Sequence, residues 1–328
     1  MEIDFVVTWV DGSDPKWIAK YNKYSPNPRD TAIDARGERY EDGGLLRYWF
    51  RGVEKYAPWV RKIFFITDGQ KPEWLNLDNK KLVWVKHEDF IPAEYLPTFS
   101  SRPIEMHIHK IKEISDRFVY FNDDFYLINP VTPKFYFRNN LPVDFAIINT
   151  LSPTYYGHTL LNNIIEVNKH FNQKKVIKKD FKKWFYFKYK LIDLARAALY
   201  GRRGEFIGLK VNHCSQAYLK KTFDIVWDSC KDVLERTCKN KFRTVLDVSI
   251  YIFRNWQLAT GQFTPSNLFK YRDHFQLTQK NMPAIKSALT SNRLTEVCLN
   301  SSDESQPLFK EIIEIFDKKF PEKSSFEI

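Results

Sequence analysis

Asn122, Asp123 and Asp124 form a candidate cation site. They follow the run Phe-Val-Tyr-Phe and precede Phe-Tyr-Leu, and these aromatic and β-branched residues predict strand on both sides. Two adjacent carboxylates at a strand end repel each other unless a positive charge lies nearby. Carboxylate and amide oxygens suit Mg²⁺ or Mn²⁺, and such a metal neutralises charge that develops on a diphosphate leaving group. A solvated β-turn is the alternative interpretation.

A second group of candidates surrounds the start of a predicted helix at 102–115, RPIEMHIHKIKEIS. At about 100° per residue, Glu105 and His109 share one face of that helix. The loop before the helix comes off the carboxyl edge of the predicted sheet, so the start of the helix should lie nearer the site than its end. This favours Ser100, Ser101 and Glu105 over His109 as site residues.

The third group consists of His213, Arg243 and Asp247. Arg243 and Asp247 are four residues apart and could form a simple ion pair on a helix. In the functional alternative, Arg243 grips a phosphate through two parallel hydrogen bonds and Asp247 acts as orienter or base. His213 could accept a proton or donate a hydrogen bond to a phosphate. The sequence leaves these interpretations open.

Alternating strands and helices must position these residues. Short apolar runs that end in turn residues predict four strands, at 3–10, 62–69, 81–87 and 117–124. Helical spacing within 41–58 predicts a helix between the first two strands. The alternation predicts an α/β fold with a mainly parallel, Rossmann-like sheet flanked by helices. Asp11, Asp68 and the Asp123-Asp124 pair would then converge at the carboxyl ends of the strands, where such sheets bind ligands.

Changes in pattern along the chain divide it into three regions. Residues 1–150 are the predicted α/β core, with a polar loop rich in turn formers at 20–40. Residues 151–207 are a helical insertion rich in basic and aromatic residues. Residues 208–328 are predicted to be mostly helical, above all at 208–260, and to complete the site.

The basic and aromatic residues of the insertion are concentrated at 174–203. This segment could lie on an anionic membrane surface, with Trp184 and Phe185 entering the lipid interface. A groove for single-stranded nucleic acid has a similar composition. A packed helix with a solvated basic face is the third interpretation.

Composition limits the class of protein. The 328 residues are 43% hydrophobic, which is ample for a buried core and unlike a disordered chain. The net charge of +11 favours polyanionic partners: nucleic acid, anionic lipid or phosphorylated substrates. There is no apolar run of transmembrane length and no signal-peptide pattern, and the 4 cysteines lack Cys-x-x-Cys spacing. Together these features predict a protein of the reducing cytoplasm.

The motifs resemble those of the Stealth family of sugar-phosphate transferases. This family includes bacterial capsular and cell-wall polysaccharide phosphotransferases and the catalytic subunit of the animal GlcNAc-1-phosphotransferase. The stretches similar to its conserved blocks are IDFVVTWVDGSDPKW at 3–17 for the first, 39–79 and 87–127 for the second, VNHCSQAYLKKTF at 211–223 through KFRTVLDVS at 241–249 for the third, and the region of 281–300 for the fourth. Together they cover most of the chain. The resemblance implies that the Rossmann-like sheet is GT-A-like.

The resemblance implies a role for each matching residue. Asp123 and Asp124 match the family's acidic pair, which would hold Mg²⁺ or Mn²⁺. The residues matched to catalysis are His213, Arg243, Asp247, Glu105 and Arg47. The residues matched to binding of the donor are Trp9, Asp11, Gly12, Asp14, Ser100, Ser101 and Asn122. One departure is Gln216, which stands where the animal enzymes carry a second histidine.

The reaction that the resemblance implies is transfer of a hexose or N-acetylhexosamine 1-phosphate from a UDP-sugar to a hydroxyl of a glycan. A phosphodiester forms and UMP is released, in the synthesis of capsule or other cell-surface polysaccharide. Residues 1–150 would bind the nucleotide sugar, and 151–207 would contact the acceptor or a membrane. The alternatives are a metal-dependent glycosyltransferase that releases UDP, and a non-catalytic protein that binds RNA or a membrane.

The partners implied are a UDP-sugar donor and a glycan or lipid-linked oligosaccharide acceptor, with an anionic membrane surface as a further candidate. No nucleic acid partner is expected. The implied location is the cytoplasm, with peripheral attachment at the inner face of the membrane.

Overall fold

The computed structural model describes residues 1–25, 33–34, 40 and 43–328. Its strands are β1 (Asp4–Thr8), β2 (Ile33–Asp34), β3 (Ile63–Thr67), β4 (Leu82–Lys86), β5 (Arg117–Asn122), β6 (Phe125–Leu127), β7 (Phe137–Arg138), β8 (Leu141–Asp144), β9 (Gln216–Leu219), β10 (Arg243–Thr244), β11 (Thr264–Pro265), β12 (Arg272–Gln276) and β13 (Glu296–Asn300). Its helices are α1 (Pro15–Tyr24), α2 (Leu46–Tyr56), α3 (Ser101–His107), α4 (Pro133–Tyr136), α5 (Tyr155–His170), α6 (Gln173–Lys179), α7 (Phe181–Trp184), α8 (Leu191–Tyr200), α9 (Lys220–Ser229), α10 (Lys231–Lys239), α11 (Tyr251–Ala259), α12 (Met282–Thr290) and α13 (Phe309–Lys319).

The main sheet has the strand order β4-β3-β1-β5-β9. The pairs β4–β3, β3–β1 and β1–β5 are parallel, and β9 runs antiparallel to β5. Every residue of β3 is buried, as expected for a parallel strand covered on both faces. The predicted α/β class with a mainly parallel sheet is therefore confirmed, as are its four predicted strands.

Helices cover both faces of this sheet. Side chains of β1 alternate between two cores: Phe5 and Val7 belong to one, and Val6 belongs to the other. The first core is closed by α2, α12 and α13, and the second by α3, α9, α10 and α11. Each helix packs on the sheet through its hydrophobic face, and this packing fixes the position of the loops that connect the helix to the sheet.

Two predicted segments differ from the structure. The loop prediction for 20–40 is wrong at its start, because α1 continues to Tyr24. This helix begins at Pro15, and the Asp14 side chain caps it by accepting from the Lys16 amide. Residues 26–32 and 35–39 of the same prediction lie outside the described residues. The helix predicted at 102–115 is too long, since α3 ends at His107 and a 3₁₀ turn follows at Ile108–Lys110.

A second, smaller sheet brings residues 272–300 close to Asn122, Asp123 and Asp124, which we call the acidic turn. Its order is β12-β13-β6, with β13 antiparallel to β6 and Cys298 opposite Phe125. Because β6 begins one residue after Asp124, this pairing places Cys298 beside that carboxylate. The prediction that 208–260 is largely helical is wrong at β9 and β10, although α9, α10 and α11 occupy much of it.

Residues 151–207 contain α5, α6, α7 and α8, so the segment is helical. Trp184 is only 1% exposed and packs against Phe206, which contradicts its predicted place in a lipid interface. The boundaries of the three predicted regions stay a prediction.

None of the described helices combines the length and the apolar character that a bilayer crossing needs. The 4 cysteines are all free and buried.

Candidate active site

A cavity of about 610 Å³ opens at the carboxyl ends of the parallel strands. Trp9 follows β1, Asp68 follows β3, and His87 follows β4 on its wall. Asn122 at the end of β5 and the two aspartates after it complete this edge. The predicted convergence of strand ends is thus present at Asp68 and the aspartate pair.

The cavity gathers nine of the fourteen predicted site residues: Trp9, Ser100, Ser101, Glu105, Asn122, Asp123, Asp124, His213 and Arg243. Five lie outside its lining: Asp11, Gly12, Asp14, Arg47 and Asp247. Position in the cavity does not test a chemical role, so all fourteen roles stay predictions.

Asp124 is a buried carboxylate with a perturbed pKa. Burial raises its pKa to about 6, against the lowering effects of the Cys298 thiol and the Arg243 charge. The Cys298 Sγ donates to its Oδ2 at 3.3 Å, whereas its buried Oδ1 has no hydrogen-bond partner within the described part of the chain. An unpaired oxygen of this kind is expected to accept a ligand.

Three potential ligand atoms lie close together at this carboxylate. One atom each from Asp124, His213 and Cys298 lies within 4.8 Å of the other two. Burial raises the pKa of the Cys298 thiol well above its usual range, so the thiol stays protonated and holds the carboxylate. The unpaired Oδ1, the neighbouring Asp123 and Asn122, and the His213 imidazole are a donor set that fits a divalent cation.

Arg243 is aimed into the cavity by its neighbours. Its guanidinium donates to Ser101 Oγ at 2.9 Å, and its carbonyl oxygen accepts from the Tyr155 hydroxyl at 2.9 Å. The Ser100 side chain caps α3 by accepting from the Arg102 amide at 3.3 Å. The predicted serines and the predicted arginine therefore form one unit, although they are far apart in sequence.

Asp247 is placed differently from the helical ion pair considered for it. Residues 243–250 are not an α-helix, and Asp247 is 1% exposed behind the cavity wall. Its carboxylate accepts from the Arg102 guanidinium, from Asn240 at 2.6 Å and from the Thr244 amide at 2.8 Å. This arrangement ties the start of α3 to the strand that carries Arg243.

Glu105 is a buried carboxylate with weak protein partners. Its two hydrogen bonds, from the Tyr120 hydroxyl and the Ile250 amide, are both 3.4 Å long. It faces the cavity, whereas His109, in the 3₁₀ turn that follows α3, packs against Phe223. Glu105 therefore lines the cavity and His109 does not, while the role of Glu105 stays a prediction.

The loop after β1 supports the cavity from outside. Gln70 donates to the Asp11 carbonyl at 2.9 Å and to Asp14 Oδ2 at 3.0 Å. A Cβ on Gly12 would lie 2.6 Å from the Tyr40 carbonyl oxygen, so only glycine fits there. Arg47 lies elsewhere, on α2, with its guanidinium 5.5 Å from the centre of the Trp74 ring.

Sequence reasoning missed three features in or beside the cavity. His87 is buried, and burial lowers its pKa to about 4. Cys298 was considered only for disulfide or zinc spacing, and no local pattern marks it. Asn300 at the end of β13 and the loop 301–303 after it also line the cavity. Gln216, noted as a departure, lines the cavity too and donates to Asp144 at 3.0 Å.

Two family profiles match the chain. Conserved region 1 of the Stealth proteins matches residues 1–29, and conserved region 2 matches residues 39–144. These matches contain the loop after β1, α2, α3 and the acidic turn.

Several curated proteins are similar over nearly the whole chain. The capsular polysaccharide phosphotransferase WcwK of Streptococcus pneumoniae is 38% identical over 99% of this chain and 98% of its own. The receptor polysaccharide phosphotransferase WefC of Streptococcus gordonii is 37% identical over 100% and 99%. The exopolysaccharide phosphotransferase cps2G of Lactiplantibacillus plantarum is 34% identical over 99% and 96%. The chain therefore belongs to the Stealth family, and it is a transferase enzyme.

Among solved structures, the galactosyltransferase LgtC in complex with donor and acceptor sugar analogues aligns over 96% of this chain and 95% of its own. The TM-score is 0.42 and the sequence identity is 11%, a likeness too weak to support an inference.

Proposed function

We propose that the chain transfers a sugar-1-phosphate, of a hexose or an N-acetylhexosamine, from a UDP-sugar to a hydroxyl of a glycan acceptor. The product is a phosphodiester, the leaving group is UMP, and the setting is synthesis of capsule or another cell-surface polysaccharide. The proposal is supported by the relatives, which are phosphotransferases of capsular polysaccharide, receptor polysaccharide and exopolysaccharide. The observation that carries it is the meeting of an acidic turn, Arg243 and His213 in one cavity.

A divalent cation, Mg²⁺ or Mn²⁺, belongs to this proposal. Asp123 and Asp124 would hold it, with Asn122 and His213 beside them. When bound, it would neutralise charge on the diphosphate of the donor. Cys298 would act as a positioning residue, because its thiol fixes one oxygen of Asp124 and leaves the other for the cation.

The remaining residues would bind the diphosphate of the donor and accept the proton of the acceptor. Arg243, held by Ser101, would donate to oxygens of the diphosphate, where a guanidinium matches the geometry of a phosphate. The acceptor hydroxyl would give its proton to His213 or to Glu105 while its oxygen bonds to the phosphorus that carries the sugar. The bond from that phosphorus to the oxygen bridging it to UMP breaks, and UMP leaves. In such transfers most of the rate enhancement comes from positioning and charge stabilisation.

The acceptor is proposed to be a glycan or a lipid-linked oligosaccharide. A lipid-linked acceptor would place the enzyme in the cytoplasm, peripherally at the inner face of the membrane. The proposal includes no nucleic acid partner.

The decisive experiment is phosphorus NMR of the products from a panel of UDP-sugars with Mg²⁺ or Mn²⁺. We expect UMP and a phosphodiester resonance. Asp124→Asn should lower turnover by about a hundredfold or more at an unchanged unfolding midpoint. Asp232→Asn, a change at an exposed aspartate on α10, is the matched control. Release of UDP would establish the glycosyltransferase alternative, and unchanged turnover of Asp124→Asn would contradict the role of the acidic turn.

A further inference from the structure

The outer face of α8 is entirely apolar. Its exposed residues are Leu191, Ile192, Ala195, Ala198 and Leu199. At about 100° per residue they form one continuous stripe. Leu191 is 85% exposed, Leu199 69% and Ile192 57%, whereas the opposite face carries the buried Asp193 and Ala197. Exposed helix faces are normally polar, so this stripe lacks a partner within the described chain.

Exposed basic residues flank the stripe at both ends. Lys188 and Lys190 precede it, and Arg202 and Arg203 follow it. Phe187, 77% exposed, extends the apolar surface beyond the start of the helix. We call these residues, with the stripe, the α8 patch.

Acidic residues do little to offset the charge of the α8 patch. Asp193 is buried and lies 3.5 Å from Arg196 and 3.7 Å from Lys210, so these two partly exposed cations balance its charge. Glu205 is the single exposed acid in the described segment 181–205. The patch is therefore an apolar centre with a cationic rim.

We propose that the α8 patch docks into the headgroup region of an anionic lipid bilayer. The leucines and isoleucine would enter the boundary between headgroups and acyl chains, and the lysines and arginines would meet lipid phosphates. Charge complementarity selects this occupant. A nucleic acid would engage the cations but would leave the aliphatic side chains without a partner. A second copy joined by a two-fold axis would bring equal positive rims together.

The structure also changes which residues are involved. Composition pointed to Trp184 and Phe185, but Trp184 is buried in the core of the segment. The same segment lines the cavity through Tyr156 and Thr159 on α5. Docking would thus be performed by the segment that also borders the candidate active site. The inference is independent of the reaction proposed above.

The test is co-sedimentation of the full-length protein with vesicles of equimolar phosphatidylcholine and phosphatidylglycerol at low salt. We expect binding, and we expect none to vesicles of phosphatidylcholine alone. The double variant Leu191→Ser, Leu199→Ser should weaken binding by about a hundredfold, at about tenfold for each buried side chain. The double variant Lys188→Glu, Lys190→Glu should weaken it by about tenfold or more. Ile225→Ser, at a residue 40% exposed on α9, is the matched control and should bind as the wild type does.

Three outcomes would overturn the inference. The first is absence of binding at low salt. The second is binding that salt abolishes but that the serine variant retains, which would indicate general attraction to polyanions. The third is analytical ultracentrifugation in which the wild type sediments as a dimer and the serine variant as a monomer. This result would show that the α8 patch binds a second copy of the chain. Turnover on a water-soluble acceptor should be unchanged in the serine variant, so failure of docking and failure of the proposed reaction are distinguishable.

Discussion

Replacing Asp247 by alanine tests whether this residue supports the site or performs chemistry. Removal of its carboxylate leaves the Arg102 guanidinium buried without its counter-charge. Loss of one partner of a buried ion pair costs about 3–5 kcal/mol of unfolding free energy. Arg102 keeps its hydrogen bonds to the Thr244 carbonyl at 2.9 Å and to Thr159 Oγ1 at 2.8 Å, which favours the lower end of that range. Asn240 loses an acceptor, which adds about 1 kcal/mol. We expect a total of about 4 kcal/mol.

The measurement is equilibrium unfolding in urea, followed by the fluorescence of the 9 tryptophans. Asp232→Ala, a change at an exposed aspartate, is the control and should stay within about 0.5 kcal/mol of the wild type. Adding Arg102→Met to Asp247→Ala should restore part of the lost stability, because no buried charge then remains unpaired.

The reasoning is refuted if Asp247→Ala unfolds within about 0.5 kcal/mol of the wild type and yet loses its turnover. That result would make Asp247 a participant in the reaction, as the family resemblance implies. Loss of stability together with recovery in the double variant would establish that it positions Arg243 from behind.

Two further perturbations test the packing and the pH response. Gly52→Ala should destabilise the protein by about 1–3 kcal/mol in the same urea assay, because the new Cβ would lie 2.6 Å from the Leu127 carbonyl oxygen. Helix propensity alone would make alanine at this position more stabilising than glycine. A stabilised Gly52→Ala variant would therefore contradict the close approach of α2 to β6. Burial lowers the pKa of His87 from about 6.5 to about 4, so the unfolded chain takes up a proton in this range before the folded protein does. Stability should therefore fall as pH decreases from about 6.5 to about 4, by about 3 kcal/mol, and His87→Gln should lack this part of the fall. An equal fall in both proteins, measured by urea unfolding at several pH values, would show that His87 is not the group responsible.

The parallel core could be predicted because its strands carry a local signal. β3 and β5 are apolar runs that end in turn residues, and burial on both faces requires such runs. α1 was missed because its residues are largely polar, although Asp14 and Pro15 are the cap and first-turn residues that begin a helix. The end of α3 was misplaced because the isoleucine spacing continues past His107, where tertiary packing changes the backbone to a 3₁₀ turn.

The site could be predicted where a strand end or a loop supplied the residues, as at Asp124 and Ser101. Cys298 could not be predicted, because its contact with Asp124 depends on the pairing of two strands that are remote in sequence. The spacing of Arg243 and Asp247 was also misleading. A separation of four positions indicated an ion pair on a helix, but a short strand and a turn direct the two side chains apart.

The position of β9 has a consequence for synthesis on the ribosome. β9 completes the main sheet beside β5, yet the whole of 123–215 is translated between them. Until residue 219 emerges, a nascent chain exposes the β5 edge, whose aromatic residues are buried in the finished protein. Such an unpaired edge is prone to aggregate, and long-range pairing of this kind is slow. Production of the isolated amino-terminal half should therefore depend on chaperones that shield this edge.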